Sequence, residues 1–268
     1  MDIEKWVNDG DIKQALEAVT QDVKAAPAAA SPRIALFQLL SINGQWERAA
    51  KQLAVLKQLD DEFKVLEQSY GSLLSCELFR QGVFSGKHTA PILGQPEQWM
   101  VLVLEALKAD AVGRHDQAIA LREEAFSLAP ALAGRVNDDS FEWLADADSR
   151  IGPFFEIMVR GDYYWVPQAR IESLTFESPT DVRDLVWAPV SIVWQGGGEE
   201  VGFVPARYPG DTSNWSAAQQ FARETAWAPL GDDTWAGIGQ RLYATADDDY
   251  SALDVRTIAF ASDQTNAD

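Results

Sequence analysis

The stretch Ser140 to Pro167, SFEWLADADSRIGPFFEIMVRGDYYWVP, divides the chain: glycine-spaced helical repeats precede it, and strand-like segments with scattered arginines follow it. Asp139 or Ser140 can cap a helix starting at Phe141, which Gly152 and Pro153 end. Pro153 can open a second short helix, Phe154 to Arg160, stopped by Gly161. On the first helix, Asp148 shares a stripe with Phe141, Leu144 and Ala145, while Asp146 and Arg150 form an intrahelical pair. A carboxylate on an apolar stripe must be paired or hydrogen-bonded, so Asp148 should meet an arginine or backbone N–H groups. Asp146 and Asp148 beside an arginine also suit a divalent metal, but helical positions two apart point about 200° from one another and chelate poorly. The reading preferred is a structural ion network.

Upstream of this stretch a repeat is visible. Gly10-Asp-Ile-Lys-Gln-Ala15, Gly44-Gln-Trp-Glu-Arg-Ala49 and Gly113-Arg-His-Asp-Gln-Ala118 each place a glycine five residues before an alanine. The glycines are 34 and then 69 residues apart, one and about two tetratricopeptide periods. Pro27 and Pro130 each fall 17 residues after a repeat glycine, where a helix must stop. The expected pairs are Asp2–Asn8 with Asp11–Ala25, Pro32–Ile42 with Trp46–Leu59, and Trp99–Ala111 with Asp116–Leu128. A longer helix, Asp61 to Gln81, and a loop rich in glycine and proline from Gly82 to Pro96 interrupt them. Stacked helix pairs leave a concave face suited to a partner's helix or extended peptide. Arg33, Gln38, Arg48 and Arg80 are the candidate groove residues; each is equally suited to bracing the fold.

Downstream, strands are expected at Tyr163–Val166, Arg170–Phe176, Leu185–Trp194, Glu200–Val204, Gln240–Thr245 and Leu253–Phe260. Gly196-Gly197-Gly198 forms a hairpin loop and not a phosphate loop, since no Lys-Ser or Lys-Thr follows it. Trp215 to Thr225 reads as a helix and Pro179 to Val186 as a helical turn. The fold class is α+β: a tetratricopeptide-like all-α domain over 1–134, then a domain over 135–268 with a mixed or antiparallel sheet.

Composition narrows the function. The chain has 268 residues, a net charge of -19 and 47% hydrophobic content, enough for two cores. From Asn137 onward, eight arginines and no lysine face 23 acids. Such a surface repels phosphate backbones and anionic lipid, so nucleic acid and membrane are poor partners. The opening Met1-Asp-Ile-Glu lacks the basic and apolar regions of a signal peptide, and no apolar run reaches the roughly 20 residues of a membrane span; the expectation is a cytoplasmic protein. One cysteine, Cys76, and two histidines, His88 and His115, exclude an intrachain disulfide and the usual zinc sites.

Arg183-Asp184, Arg207-Tyr208, Arg223-Glu224 and Gln240-Arg241 could join Asp146 and Asp148 in an anion pocket. That half has no histidine, lysine or cysteine, so a nucleophile and base would come from hydroxyls and carboxylates alone, outside any G-x-S-x-G or S-x-x-K context. No catalytic residue, cofactor or metal ligand is assigned, and the structural ion network is drawn as Asp146, Asp148, Arg150, Arg183, Asp184 and Arg207. The rival is a metal- or nucleotide-dependent enzyme centred on Asp146, Asp148, Arg183 and Arg207. A third reading is a structural subunit that oligomerises through its acidic half.

Several motifs in fixed order resemble the ImpE family, also called TagJ, of bacterial type VI secretion accessory proteins. They are Leu36-Phe37-Gln38-Leu39-Leu40 with Gly44-x-Trp46-x-Arg48-Ala49, and Phe141-Glu142-Trp143 with Asp146-x-Asp148-Ser149-Arg150-x-Gly152-Pro153. Tyr163-Tyr164-Trp165-Val166-Pro167, Arg183-Asp184-x-x-Trp187, Pro205-x-Arg207-Tyr208 and Gly239-Gln240-Arg241 follow. The chain departs from the family pattern at Ala28-Ala29-Ala30, where Pro-x-Asp would place an acid. The resemblance implies a cytoplasmic, non-catalytic adaptor of the contractile sheath. Its implied partners are the small sheath subunit, through a helix near that subunit's N-terminus, and the AAA+ ATPase that disassembles contracted sheaths. It assigns no contact residues.

Overall fold

The computed structural model describes residues 11–261; the helix expected at Asp2–Asn8 and the tail from Ser262 lie outside them. Among the described residues six helices come first: α1 (Ile12–Ala25), α2 (Ala30–Ile42), α3 (Trp46–Leu59), α4 (Lys64–Phe84), α5 (Gln98–Ala111) and α6 (His115–Leu128). Each packs on its sequence neighbour. Gly44, at φ +62°, turns α2 into α3, and Gly113, at φ +74°, turns α5 into α6, the left-handed conformation that glycine adopts without a Cβ clash. From Ala35 to Ile42 every residue of α2 is buried, so this helix is the centre of the helical layer.

The remaining chain forms an eight-stranded antiparallel sheet in the order β2-β1-β13-β6-β7-β8-β4-β5. Its strands are β1 (Gly134–Val136), β2 (Asp139–Phe141), β4 (Phe154–Val159), β5 (Asp162–Pro167), β6 (Ile171–Phe176), β7 (Trp187–Trp194), β8 (Glu199–Pro205) and β13 (Thr257–Phe260). A three-stranded sheet joins β3 (Ala145–Asp146), β11 (Leu242–Ala244) and β12 (Asp249–Ser251). A separate hairpin pairs β9 (Thr225–Gly231) with β10 (Thr234–Gly239). The class is α+β.

The dividing stretch corrects its sequence reading, for it holds no helix. Phe141 ends a strand, and Asp146 to Gly152 is a strand end followed by a tight turn. Phe154 to Val159 is β4, buried at every position. Its side chains alternate: Phe154 and Met158 belong to the core shared with the helices, and Phe155, Ile157 and Val159 to the core on the other face. A strand covered on both faces has no polar alternation, so its six-residue run reads equally as a short buried helix. Arg160 (φ +57°) and Gly161 (φ +87°) form a two-residue turn with both φ positive, the geometry that closes a twisted hairpin.

The helix expected at Trp215 to Thr225 shrinks to one turn, α7 (Ala217–Gln220), capped by Ser216. Thr225 already starts β9, and Asp232 and Asp233 make the turn of a hairpin absent from the sequence reading.

One apolar core crosses both halves. Trp46 of α3 lies 5.9 Å from Trp187 of β7, Trp99 of α5 lies 4.8 Å from Phe154, and Phe84 of α4 lies 5.9 Å from Trp165 of β5.

Candidate functional site

Two features stand out at the junction of helices and sheet: a sealed network of charges and an open groove. Glu156 is the hub of the network. It occupies the helix-facing side of β4, where the two-residue period places it between Phe154 and Met158. Its carboxylate accepts from Arg80 of α4 through Nε at 2.7 Å and Nη2 at 2.8 Å, a fork-to-fork pair, and from the Tyr163 hydroxyl and Arg241 Nη2. Arg80 also donates to Glu77 Oε2 at 3.3 Å and to the Arg207 carbonyl at 2.9 Å. Arg241 donates Nη1 to Asp146 Oδ2 at 2.5 Å and Nε to the Pro205 carbonyl at 2.9 Å.

Glu156 and Arg241 are fully buried, as is Asp148. Burial alone would raise the Glu156 pKa, but the guanidinium groups of Arg80 and Arg241 hold it down at about 2. Asp146 goes the other way. Burial, with help from Asp148 and Glu156, pushes it up to about 7 against the pull of Arg241, which it shares with Glu156.

Asp148 is paired, as its apolar stripe requires, although no helix carries it. Its Oδ1 accepts from the Arg150 backbone at 2.9 Å and its Oδ2 from the Gly237 backbone at 2.9 Å, while Arg150 Nη2 closes in at 2.5 Å. Asp146 therefore pairs with Arg241, 95 residues away, and not with Arg150. Arg183 bonds Asp181 at 2.7 Å and lies 4.6 Å from the Tyr70 ring centre. Asp184 accepts from the Thr180 and Asp181 backbones at 2.8 and 2.9 Å, capping a short turn. Arg207 donates to backbone carbonyls and to no carboxylate among the described residues. The residues of the enzyme reading thus turn to different partners.

Of the four groove candidates, Arg80 is the buried clamp just described. Gln38, also buried, donates to Asp181 at 3.1 Å and ties α2 to the sheet half. Arg33 closes the preceding turn through the Pro27 carbonyl at 2.7 Å and Gln52 at 3.0 Å. Arg48 bonds Gln45 and lines the open groove. Glu156 escaped the sequence reading, yet it carries a signal: it is the one charge in the run Phe154-Phe-Glu-Ile-Met-Val159.

The groove, about 840 Å³, runs along α1 to the α2–α3 turn and the 213–220 segment. Ile12, Leu16 and Ala18 give it apolar surface; Lys13, Lys24 and Arg48 give it positive charge, offset by Glu17. No group of three or more His, Cys, Asp or Glu side chains suited to a metal occurs among the described residues, and no helix among them is long and apolar enough to cross a membrane.

The ImpE protein family model matches residues 138–259. A curated relative, the type VI secretion system accessory component TagJ of Pseudomonas aeruginosa, is 41% identical over 257 residues, 96% of this chain and 90% of its own length. The chain belongs to the ImpE family of type VI secretion accessory proteins. Its fold matches a crystal structure of a Vibrio parahaemolyticus protein with a TM-score of 0.90 at 26% identity, covering 98% of this chain and 99% of that one. The ImpE match holds Asp146, Glu156, Arg207 and Arg241, whereas Glu77, Arg80 and most of the groove lie in the helical half, which only the full-length likenesses reach.

Proposed function

We propose that the chain is a non-catalytic, cytoplasmic adaptor of type VI secretion that takes up an amphipathic helix of the small sheath subunit and works with the AAA+ ATPase that disassembles contracted sheaths. The likeness to TagJ along 96% of the chain carries this reading. Domain limits of 1–134 and 135–268 go with it, the helical part, of tetratricopeptide type, serving as receptor and the sheet as its support.

The geometry supports the division of labour. Glu156, Asp146 and Asp148 are sealed and spent on guanidinium groups and backbone N–H donors, so they brace the junction. The groove along α1 joins an apolar floor to three cations in a chain of net charge -19, which favours an amphipathic helix with an acidic flank. Because one core spans both halves, the test uses the full chain. Calorimetric titration of the purified small sheath subunit into wild type and into the Lys13→Glu, Lys24→Glu, Arg48→Glu triple variant should show binding at least about tenfold weaker in the variant. Equal affinities would move the receptor surface off this groove.

A further inference from the structure

The segment from Pro205 to Trp215 passes the C-terminal end of α2 and the C-terminal third of α4. Where the three meet they leave a cavity of about 20 Å³, lined among others by Trp46, Glu77, Arg80, Arg207, Tyr208 and Trp215. Four arginines are buried among the described residues: Arg80, Arg122, Arg207 and Arg241. Arg80 meets Glu156 and Glu77, Arg122 meets Asp110, and Arg241 meets Asp146 and Glu156. Arg207 bonds no acid among the described residues, and Glu77 on the same wall offsets its charge only in part.

Arg207 donates Nη1 to the Ile42 and Gln220 carbonyls, both at 2.7 Å, and Nη2 to the Ser41 carbonyl at 3.2 Å. None of these bonds uses its Nε. Carbonyl dipoles satisfy the N–H groups they touch but do not neutralise a formal charge. Burial accordingly draws the Arg207 pKa down to about 10, leaving the group charged at neutral pH. The stranded donor on this wall is the Trp46 indole N–H, buried without a partner among the described residues.

We propose that this cavity is a receptor for a single carboxylate group, bound by Arg207 and Trp46 at the seam between the helical layer and the sheet. A volume near 20 Å³ is little more than the roughly 10–15 Å³ one water needs, so it admits one small group and not a phosphate ester or a ring. A water would satisfy the stranded Trp46 N–H and leave the Arg207 charge. A planar monoanion does both. Glu77 on the same wall sets the upper limit of charge: its oxygens are engaged by Trp187 Nε1 at 3.2 Å and Arg80 Nη1 at 3.3 Å, and its own charge disfavours a dianion. Trp215, 5.9 Å from the Arg207 guanidinium carbon, closes the other side. This assignment stands apart from the groove along α1.

The test is a titration of the ¹⁵N-labelled full chain with sodium formate at constant ionic strength, read at the indole N–H resonances, with Trp46→Phe identifying the Trp46 signal. A saturable shift of that signal, absent with sodium chloride and weakened about tenfold or more in Arg207→Gln, is the expected result. Arg207→Gln also loses carbonyl contacts, so formate-dependent thermal stabilisation of Trp46→Phe provides a second reading, expected below that of wild type. A blocked glutamate whose only charge is its side chain separates the sources. Its competition with formate makes the occupant a partner's acidic side chain, and formate binding alone makes it a free small carboxylate. No saturable shift, a shift equal to that from chloride, or an unchanged affinity in Arg207→Gln overturns the assignment.

Discussion

At the scale of single residues, the junction of helices and sheet hangs on Glu156. Replacing it with glutamine keeps its shape but leaves Arg80 and Arg241 without their shared counter-charge, and removing one partner of a buried pair typically costs about 3–5 kcal/mol. Urea unfolding of Glu156→Gln should show a loss of that order; a loss under about 1 kcal/mol would place the junction's stability elsewhere. Glu156 and Asp146 have opposite pH signs. Glu156 titrates lower in the fold than its ordinary 4.5, so its contribution is complete above 4.5 and disappears as pH falls toward about 2. Asp146 titrates higher than its ordinary 3.8, so the folded state holds its proton more tightly, and stability declines as pH rises through about 7. Thermal melts from pH 5 to 8 should fall in wild type and flatten in Asp146→Asn. A residual slope as steep as wild type would contradict the assignment. Sequence showed that Asp148 needed a partner, because an acid among apolar residues has few options. It did not show that Asp146 reaches Arg241, since a pairing across 95 residues depends on strand order.

At the scale of elements, two glycines with the same role in the repeat differ in their surroundings. A Cβ at Gly113 meets nothing within 4 Å, while one at Gly44 lands 2.7 Å from Thr212 Oγ1, where the helical turn touches the sheet half. Gly113→Ala should therefore cost about 1–2 kcal/mol from the left-handed backbone alone. Gly44→Ala should add about 1–3 kcal/mol of overpacking, and chemical denaturation of the two variants measures the difference. Gly237 is tighter still, since an added Cβ would sit 2.1 Å from the Tyr208 ring; Gly237→Ala should displace that ring and loosen β10 from the Asp148 turn. These contrasts track what was legible. Amphipathic periodicity in α1 and α3, with turn glycines and prolines at regular spacing, marks the helical layer, and the helix bounds fall within a few residues of those expected from sequence. Strand β5 was legible over Tyr163–Val166, but its partner β4 hid because both of its faces are covered. The β9–β10 hairpin hid because its turn is Asp-Asp and Pro229 interrupts the strand, signals that do not announce a pair.

At the scale of the whole molecule, the shared aromatic core makes helices and sheet one cooperative unit. Denaturation followed by far-ultraviolet dichroism, which reports the helices, and by tryptophan fluorescence, which includes Trp187 and Trp165 of the sheet, should give coincident transitions. Separate midpoints would show that the halves fold independently. The same rigidity gives the adaptor reading its physical sense: a braced seam holds the α1 groove in shape without help from the partner, as preorganised receptors do. The most direct measurement is hydrogen exchange on the full chain with and without the purified small sheath subunit. Slowed exchange along α1 and at the start of α3, with the sheet unchanged, is the expected result. Protection confined to the sheet half, or no protection at saturating partner, would contradict it.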